Sequence, residues 1–205
     1  MKGILFIISS PSGGGKGTLI REVLRRVPNI GYSISFTTRE PRVGEQHGQD
    51  YFFVSSAEFE NLIGQGAFLE YAIVHGNYYG TSRREVERNL GEGRDVILEI
   101  DVQGAAAVKQ LLPEAVGVFI LPPSFEVLRD RLEQRASENP MNLATRLANA
   151  AGEVGRYREF DYVLINDEIE RAATVLGSIF YAERSRLTRM AAAAQAVFET
   201  FTETS

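Results

Sequence analysis

The chain has 205 residues, room for one domain with appendages or two small ones, and its 44% hydrophobic and 24% charged residues are the balance of a soluble globular protein. A net charge of −5 argues against a dedicated nucleic-acid binder, so any anion site must be local. The absence of cysteine excludes disulfides and thiolate chemistry, and with only His47 and His75 a zinc centre or a serine–histidine triad is disfavoured.

The first predicted element is the β-branched apolar run 4–8, a buried strand into which the N-terminus runs directly. No apolar run approaches about 20 residues and no charged leader precedes the strand, so a cytoplasmic protein that does not engage a membrane is expected. Ser10, Pro11, Ser12, Gly13, Gly14, Gly15, Lys16, Gly17 and Thr18 come next. Beyond them Leu19, Ile20, Val23, Leu24 and Val27 recur at helical spacing as far as Pro28. Strand, glycine-rich turn, lysine, hydroxyl and helix form the context of a phosphate-binding loop. Its glycines let successive N–H groups face an anion, the helix N-terminus adds partial positive charge, and Lys16 reaches the outer phosphates. Two positions depart from the usual G-x-x-x-x-G-K-S/T. Ser10 stands at the first glycine, and Gly17 follows the lysine, which displaces the hydroxyl to Thr18. A metal here is therefore expected to be held mostly through water and phosphate oxygens.

Residues 32–36 alternate like a half-buried strand and lead into the polar loop 37–45. Residues 51–54 read as a strand, and Ser55 with Glu58 as a capping box opening a helix with Phe59, Leu62 and Ile63 inward. Residues 68–74 read as a strand carrying Glu70, followed by a tight segment at 76–81. A second capping box, Ser82 with Glu85, starts a helix that stops near Gly91 and Gly93. The run 95–101 reads as a buried strand ending in acids, with Glu99 and Asp101 on one face, where open α/β sheets bind ligands. A helix to Pro113, a strand at 116–121, helices at 125–135 and 142–157 split by a breaker at 137–140, a strand at 162–165 and one long alanine-rich helix complete the chain. Strands alternating with helices at both ends imply a parallel sheet with covered faces, interrupted by a strand-rich insertion at 33–81.

Arg39 and Arg42, with Ser35 upstream and Tyr51 downstream, suit a phosphate monoester, because a guanidinium fork matches its oxygens. Taken alone they would count as solvated arginines beside Glu40 and Glu45. Beside a phosphate-binding loop they read as the acceptor site of a phosphoryl transfer.

The segments 33–45, 48–54 and 76–81, together with 98–104, 121–124 and 165–167, resemble guanylate kinase, in order and with few length changes from about Leu5 to beyond Asn166. The resemblance implies an α/β fold: a parallel-sheet P-loop kinase core (1–32, 82–124 and 156–205), an inserted strand-rich GMP-binding subdomain (33–81) and a helical lid (125–155). It implies transfer of phosphate from ATP to GMP, and to dGMP, with Mg2+ accompanying ATP. Ser12, Gly13, Gly14, Gly15, Lys16, Gly17, Thr18 and Asn166 would bind ATP, with Asn166 at the adenine. Arg39, Arg42, Tyr51 and Tyr79 would bind the GMP phosphate; Ser35, Glu70 and Thr81 would read guanine, with Asp101 close by. Lys16, Arg135 and Arg146, assisted by Arg131, would stabilise the migrating phosphoryl group. Thr18 and Glu99, the latter where the family usually shows aspartate, would hold the metal, through water.

Glu70 also has independent chemical sense, since guanine's N1–H and N2–H₂ donors lie on one edge and a carboxylate accepts both. Two rival readings stay open. One is another nucleoside-monophosphate kinase, favoured by the Lys16-Gly17-Thr18 order; the other is a guanylate-kinase-like module that holds phosphopeptides without catalysis. The retained Lys16 and glycines speak against the second. Oligomeric state is open, because Ala191 to Ala196 suit a partner or the core equally.

Overall fold

The computed structural model describes residues 1–74, 76–135 and 141–202. His75 and the expected breaker at 137–140 lie outside the described residues. So does the side chain of Arg135.

Strand β1 (Leu5–Ser9) is buried along its whole length. It feeds α1 (Lys16–Arg26), whose Leu19, Ile20 and Val23 turn inward. β2 (Ile30–Tyr32), β3 (Phe36–Thr37) and β4 (Phe52–Phe53) follow. Then come α2 (Ser56–Gly64), opened by the expected capping box between Ser55 and Glu58, and β5 (Phe68–Val74). β6 (Asn77–Ser82) runs into α3 (Arg83–Gly91), where the Ser82 hydroxyl accepts from the Glu85 amide, half of the expected box. β7 (Asp95–Glu99), α4 (Val102–Leu111) and β8 (Val116–Leu121) continue the alternation. After α5 (Phe125–Arg135) and α6 (Met141–Gly155), a 3-10 turn at Arg156–Glu159 leads to β9 (Tyr162–Ile165). The chain finishes with α7 (Ile169–Arg184) and α8 (Leu187–Thr202).

The central sheet has the order β2-β7-β1-β8-β9, parallel throughout. Helices cover both faces, so its strands read as continuous apolar runs, and the pleat sorts their side chains into two layers. Ile4, Phe6 and Ile8 join Ile97, Val118 and Ile120 beneath α1 and α7, with the Phe6 and Phe180 rings 3.9 Å apart. Leu5 and Ile7 point the other way, into a layer with Val96, Leu98, Val86 of α3 and Val108 of α4.

A second sheet, β4-β3-β6-β5, is mixed: β3 pairs with β4 in parallel and with β6 antiparallel, and β5 pairs with β6 antiparallel. The expected single strand at 32–36 is two strands in two sheets. The Ser33 amide still donates to Ile97 of β7 (3.0 Å), whereas the Ser35 carbonyl already accepts from Phe52 of β4 (2.9 Å). Alternation is the same in both sheets, so periodicity cannot reveal the change of partner. The tight segment expected at 76–81 is mostly strand β6.

The long terminal helix is also broken. The Ser185 amide is shared between the Tyr181 and Ala182 carbonyls, 3.1 Å from each, and the chain restarts at Leu187. α7 is held by its buried face, Ala172, Ala173, Leu176, Ile179 and Phe180. Among its described side chains α8 has no buried position, and Leu187, Val197, Phe198 and Phe201 are exposed on it.

Asp95 ties the two halves of the chain together. Its carboxylate, 3% exposed as a residue, accepts from the Ile4 amide and from Arg184 Nε of α7, both at 2.8 Å. Asp95→Ala leaves the buried Ile4 amide without an acceptor and strips the carboxylate from Arg184, whose Nη2 keeps the Pro28 carbonyl, and is expected to cost about 2–4 kcal/mol in urea unfolding. Asp95→Asn, which keeps an acceptor for Ile4, should cost clearly less; equal losses would mean that the amide bond carries nothing.

Candidate active site

The phosphate loop leaves the carboxyl end of β1 and closes on the first turn of α1. Gly13 and Gly15 both adopt φ +86°, the left-handed region in which a side chain is strained. At Gly15 there is no room either, since a Cβ would stand 2.4 Å from Asn166 Nδ2. Asn166 follows β9 and donates from Nδ2 to the Gly14 carbonyl at 3.0 Å, while its own carbonyl accepts from Arg131 Nη2 at 3.1 Å. The last strand of the sheet therefore sets the shape of a loop encoded 150 residues earlier, at a separation of 152 positions.

Asn166 Oδ1 and Arg131 Nη1 are buried without a protein partner among the described residues. Both residues line a cavity of about 240 Å³ with Gly13, Gly15 and Thr18. Buried polar atoms of this kind are costly unless a ligand or water meets them.

On α5, Asp130 and Glu133 face Arg129, each at 3.7 Å. Arg146 of α6 donates to the Ser12 hydroxyl (3.3 Å), and Glu153, about two turns along the same helical face, accepts from the Ser12 amide at 3.0 Å. Glu153 was not among the expected site residues; on an amphipathic helix nothing local marks it.

On the other side of Lys16 lies a cavity of about 230 Å³, lined by Lys16, Ser35, Tyr51, Glu70, Tyr79, Glu99 and Asp101. Glu70 sits opposite Thr81 in the β5–β6 ladder, just past a register shift after Phe68, and accepts from the Thr81 hydroxyl at 2.7 Å. Its residue exposure is 8%. Burial pushes its carboxyl above the usual range, against the Thr81 bond and with the help of the Asp101 charge. Gly104 admits this approach, because a Cβ there would stand 3.0 Å from Glu70 Oε2.

Asp101 differs from expectation. β7 ends at Glu99, and Asp101 is the N-cap of α4, with Oδ1 accepting from the Gln103 and Gly104 amides at 3.1 and 2.8 Å. It lines the cavity with one oxygen committed to the helix.

Arg39 is gripped by Glu45, which accepts from Nη2 at 2.9 Å through both oxygens, and its guanidinium lies 5.3 Å from the Tyr51 ring centre. The side chains are only 15% and 19% exposed, so this is not a solvated surface pair but a device that aims Arg39. Tyr51 and Tyr79 meet edge to face at 6.0 Å. Burial pushes the Tyr51 phenol upward, so it remains a donor.

Arg42 stays exposed on the same loop, where its amide donates to Glu45 at 2.8 Å. The loop turns at Gly44 (φ +89°), with the Glu45 amide returning to the Arg42 carbonyl. The Val43-Gly44 pair carried that turn signal, and with it a hint that Glu45 points back at the arginines.

The expected metal residues are not brought together. Thr18 lines the Asn166 cavity, and its hydroxyl accepts from Arg21 at 3.4 Å. Glu99 lines the Lys16 cavity and a neighbouring one of about 310 Å³ with Gly17 and Tyr32. The Tyr32 hydroxyl donates to Glu99 Oε2 at 3.1 Å; burial, then the Glu99 charge, push that phenol well above its ordinary value. The sequence reading saw Tyr32 only as a strand residue. Among the described residues no group of three histidines, cysteines or carboxylates converges on a metal position.

Comparison with known proteins finds relatives along nearly the whole chain. The Guanylate kinase family model matches residues 2–183. Guanylate kinase of Geobacter sulfurreducens is 47% identical over 197 residues, covering 96% of this chain and 97% of that protein. That of Xanthomonas axonopodis pv. citri is 48% identical over 186 residues, 91% of this chain and 92% of its own length. The crystal structure of guanylate kinase from Anaplasma phagocytophilum superposes with a TM-score of 0.78 at 37% identity, covering 92% of this chain and 89% of that one. With a glycine loop, a buried carboxylate and a tyrosine–arginine cluster set around one lysine, and relatives of this identity along almost its entire length, the chain belongs to the guanylate kinase family.

Proposed function

We propose that the protein transfers the γ-phosphoryl group of ATP to GMP, reversibly, giving ADP and GDP. The observation that carries this reading is Glu70: a carboxylate held out of water, bonded to Thr81, in a cavity that also contains Lys16. Guanine offers two adjacent donors to such a group. Adenine offers none at N1, and its complex would leave the carboxylate unpaired. Ser35 and Thr81 complete the base site, with Asp101 beside them. Arg39 and Arg42, with Tyr51 and Tyr79, take the acceptor phosphate.

On the donor side Ser12 to Thr18 cradle the ATP phosphates and Asn166 meets the adenine. An ionised acceptor phosphate needs no strong base. Catalysis rests on aligning the two substrates, on charge stabilisation by Lys16, Arg131, Arg135 and Arg146, and on keeping water out. The division into core, 33–81 acceptor segment and 125–155 lid belongs to this proposal. It is supported by the separate sheet of β3 to β6 and by the small apolar cluster that α5 and α6 share, Leu128, Leu132, Leu147 and Ala150.

Mg2+ fits as the companion of ATP: an all-oxygen donor set of one carboxylate, Glu99, completed by phosphate oxygens and water, is its ordinary protein environment. Bound there, it would offset phosphate charge during transfer. No helix among the described residues is long and apolar enough to cross a membrane, and a cytoplasmic site of action is part of this reading.

A transfer assay with GMP, AMP, UMP and CMP, run with and without Mg2+, tests the assignment. GMP is expected to lead and chelation to abolish transfer; AMP ahead of GMP would defeat it. Glu70→Gln is expected to lower kcat/KM for GMP by about 10²–10³ while ATP affinity changes little. The same variant should be more heat-stable than the parent at neutral pH. A carboxyl whose folded pKa is raised loses stability as pH rises through that value, and glutamine escapes the loss. The advantage should shrink as pH falls through the ordinary carboxylate range, read from melting temperatures across pH.

A further inference from the structure

The two departures from the usual phosphate-loop chemistry, Gly17 after the lysine and Glu99 at the end of β7, lie against each other. A Cβ built at Gly17 would stand 3.7 and 3.8 Å from the two Glu99 carboxylate oxygens, ordinary contact distances. A hydroxyl on that carbon would therefore fall in the space the carboxylate faces. A serine or threonine normally offers its oxygen to the metal at that position of the loop. Here no side chain does, and Thr18 next along lines a different cavity. Glutamate is longer than aspartate by one methylene, so its carboxylate extends further from β7 toward α1.

A longer side chain is also a looser one, and an acid that must stay beside the loop needs a second hold. Tyr32 supplies it. It ends β2, the strand next to β7, in register with Ile97, two residues before Glu99. From there its hydroxyl donates to Glu99 Oε2 at 3.1 Å. With one lone pair of Oε2 engaged, the rest of the carboxylate faces Gly17, and Glu99 also lines the cavity that contains Lys16. Among the described residues the Tyr32 hydroxyl has no other hydrogen-bond partner, and a phenylalanine would fill the same half-buried place.

We infer that Tyr32 is a positioning residue of the metal site, holding Glu99 so that its carboxylate serves in place of the hydroxyl that Gly17 lacks. Gly17, Glu99 and Tyr32 then form one unit, and the loop's missing oxygen is replaced from the neighbouring strand. This rests on the ATP side of the proposed function and is independent of which nucleotide accepts the phosphate.

The test reads metal binding directly. Mn2+ affinity of the intact protein with ADP is measured by electron paramagnetic resonance for the parent, Tyr32→Phe, Glu99→Asp, Gly17→Ser and the double variants Gly17→Ser/Glu99→Asp and Gly17→Ser/Tyr32→Phe. Tyr32→Phe and Glu99→Asp are each expected to weaken Mn2+ binding about tenfold or more, as loss of an orienting partner or misplacement of a ligand does. Gly17→Ser should restore affinity in the Glu99→Asp background, a coupling that independent sites would not show. Adding Gly17→Ser to Tyr32→Phe should likewise recover binding, whereas a merely structural tyrosine would not be rescued.

Unchanged Mn2+ affinity in Tyr32→Phe, additive effects in the double variant, or no metal binding with ADP would each overturn the inference. Failure to phosphorylate GMP alongside the expected Mn2+ pattern would sink the acceptor assignment alone and leave this one standing.

Discussion

A parallel sheet brings the carboxyl ends of all its strands to one edge, and the core's contribution to the candidate site is collected there. β1 ends in the phosphate loop, β7 in Glu99, β9 in Asn166, and β2 in Tyr32. The strands themselves are apolar and buried, so they fix positions without contributing chemistry. That separation lets a rigid interior hold a site whose hydrogen-bonding and charged groups sit at the strand ends. The second sheet adds Glu70 and Tyr79 to the same cavity that Lys16 lines.

Charge is managed by neighbours rather than by solvent. Arg39 is turned by Glu45 and flanked by Tyr51; Asp101 is tied to the first amides of α4; Ser12 is met by both Arg146 and Glu153. Each pairing restricts a side chain that would otherwise sample many rotamers, and restricting it beforehand is what makes a phosphate site selective. Glu70 is the exception. Its burial is unfavourable in the free protein, and it is retained in a position where a ligand with two donors would relieve it.

Much of this was legible in the order of residues. The spacing of the glycines and Lys16, the capping box at Ser55, and the apolar runs of β5, β8 and β9 read correctly because each signal is local. What escaped depends on partners distant in the chain. The strand at 32–36 divides because its two ends bond to different sheets. The terminal helix breaks at Ser185 after Phe180, the last large apolar residue that α7 buries. Asp101 shares a face with Glu99 by alternation only while the strand lasts, and β7 ends two residues earlier. Tyr32 and Glu153 matter through single hydrogen bonds across 67 and 141 positions, which no periodicity records.

The central position of β1 has a consequence for synthesis. Both of its neighbours, β7 and β8, come from beyond residue 94, and the clamp on its glycine loop comes from residue 166. A chain emerging from the ribosome thus carries its most apolar strand exposed while most of the molecule is still being translated. Contacts this remote in sequence form slowly, and an unpaired central strand is the kind of surface chaperones recognise. The nucleotide site is encoded first and assembled last, so ligand binding can steady the finished fold but has no means of guiding the nascent one.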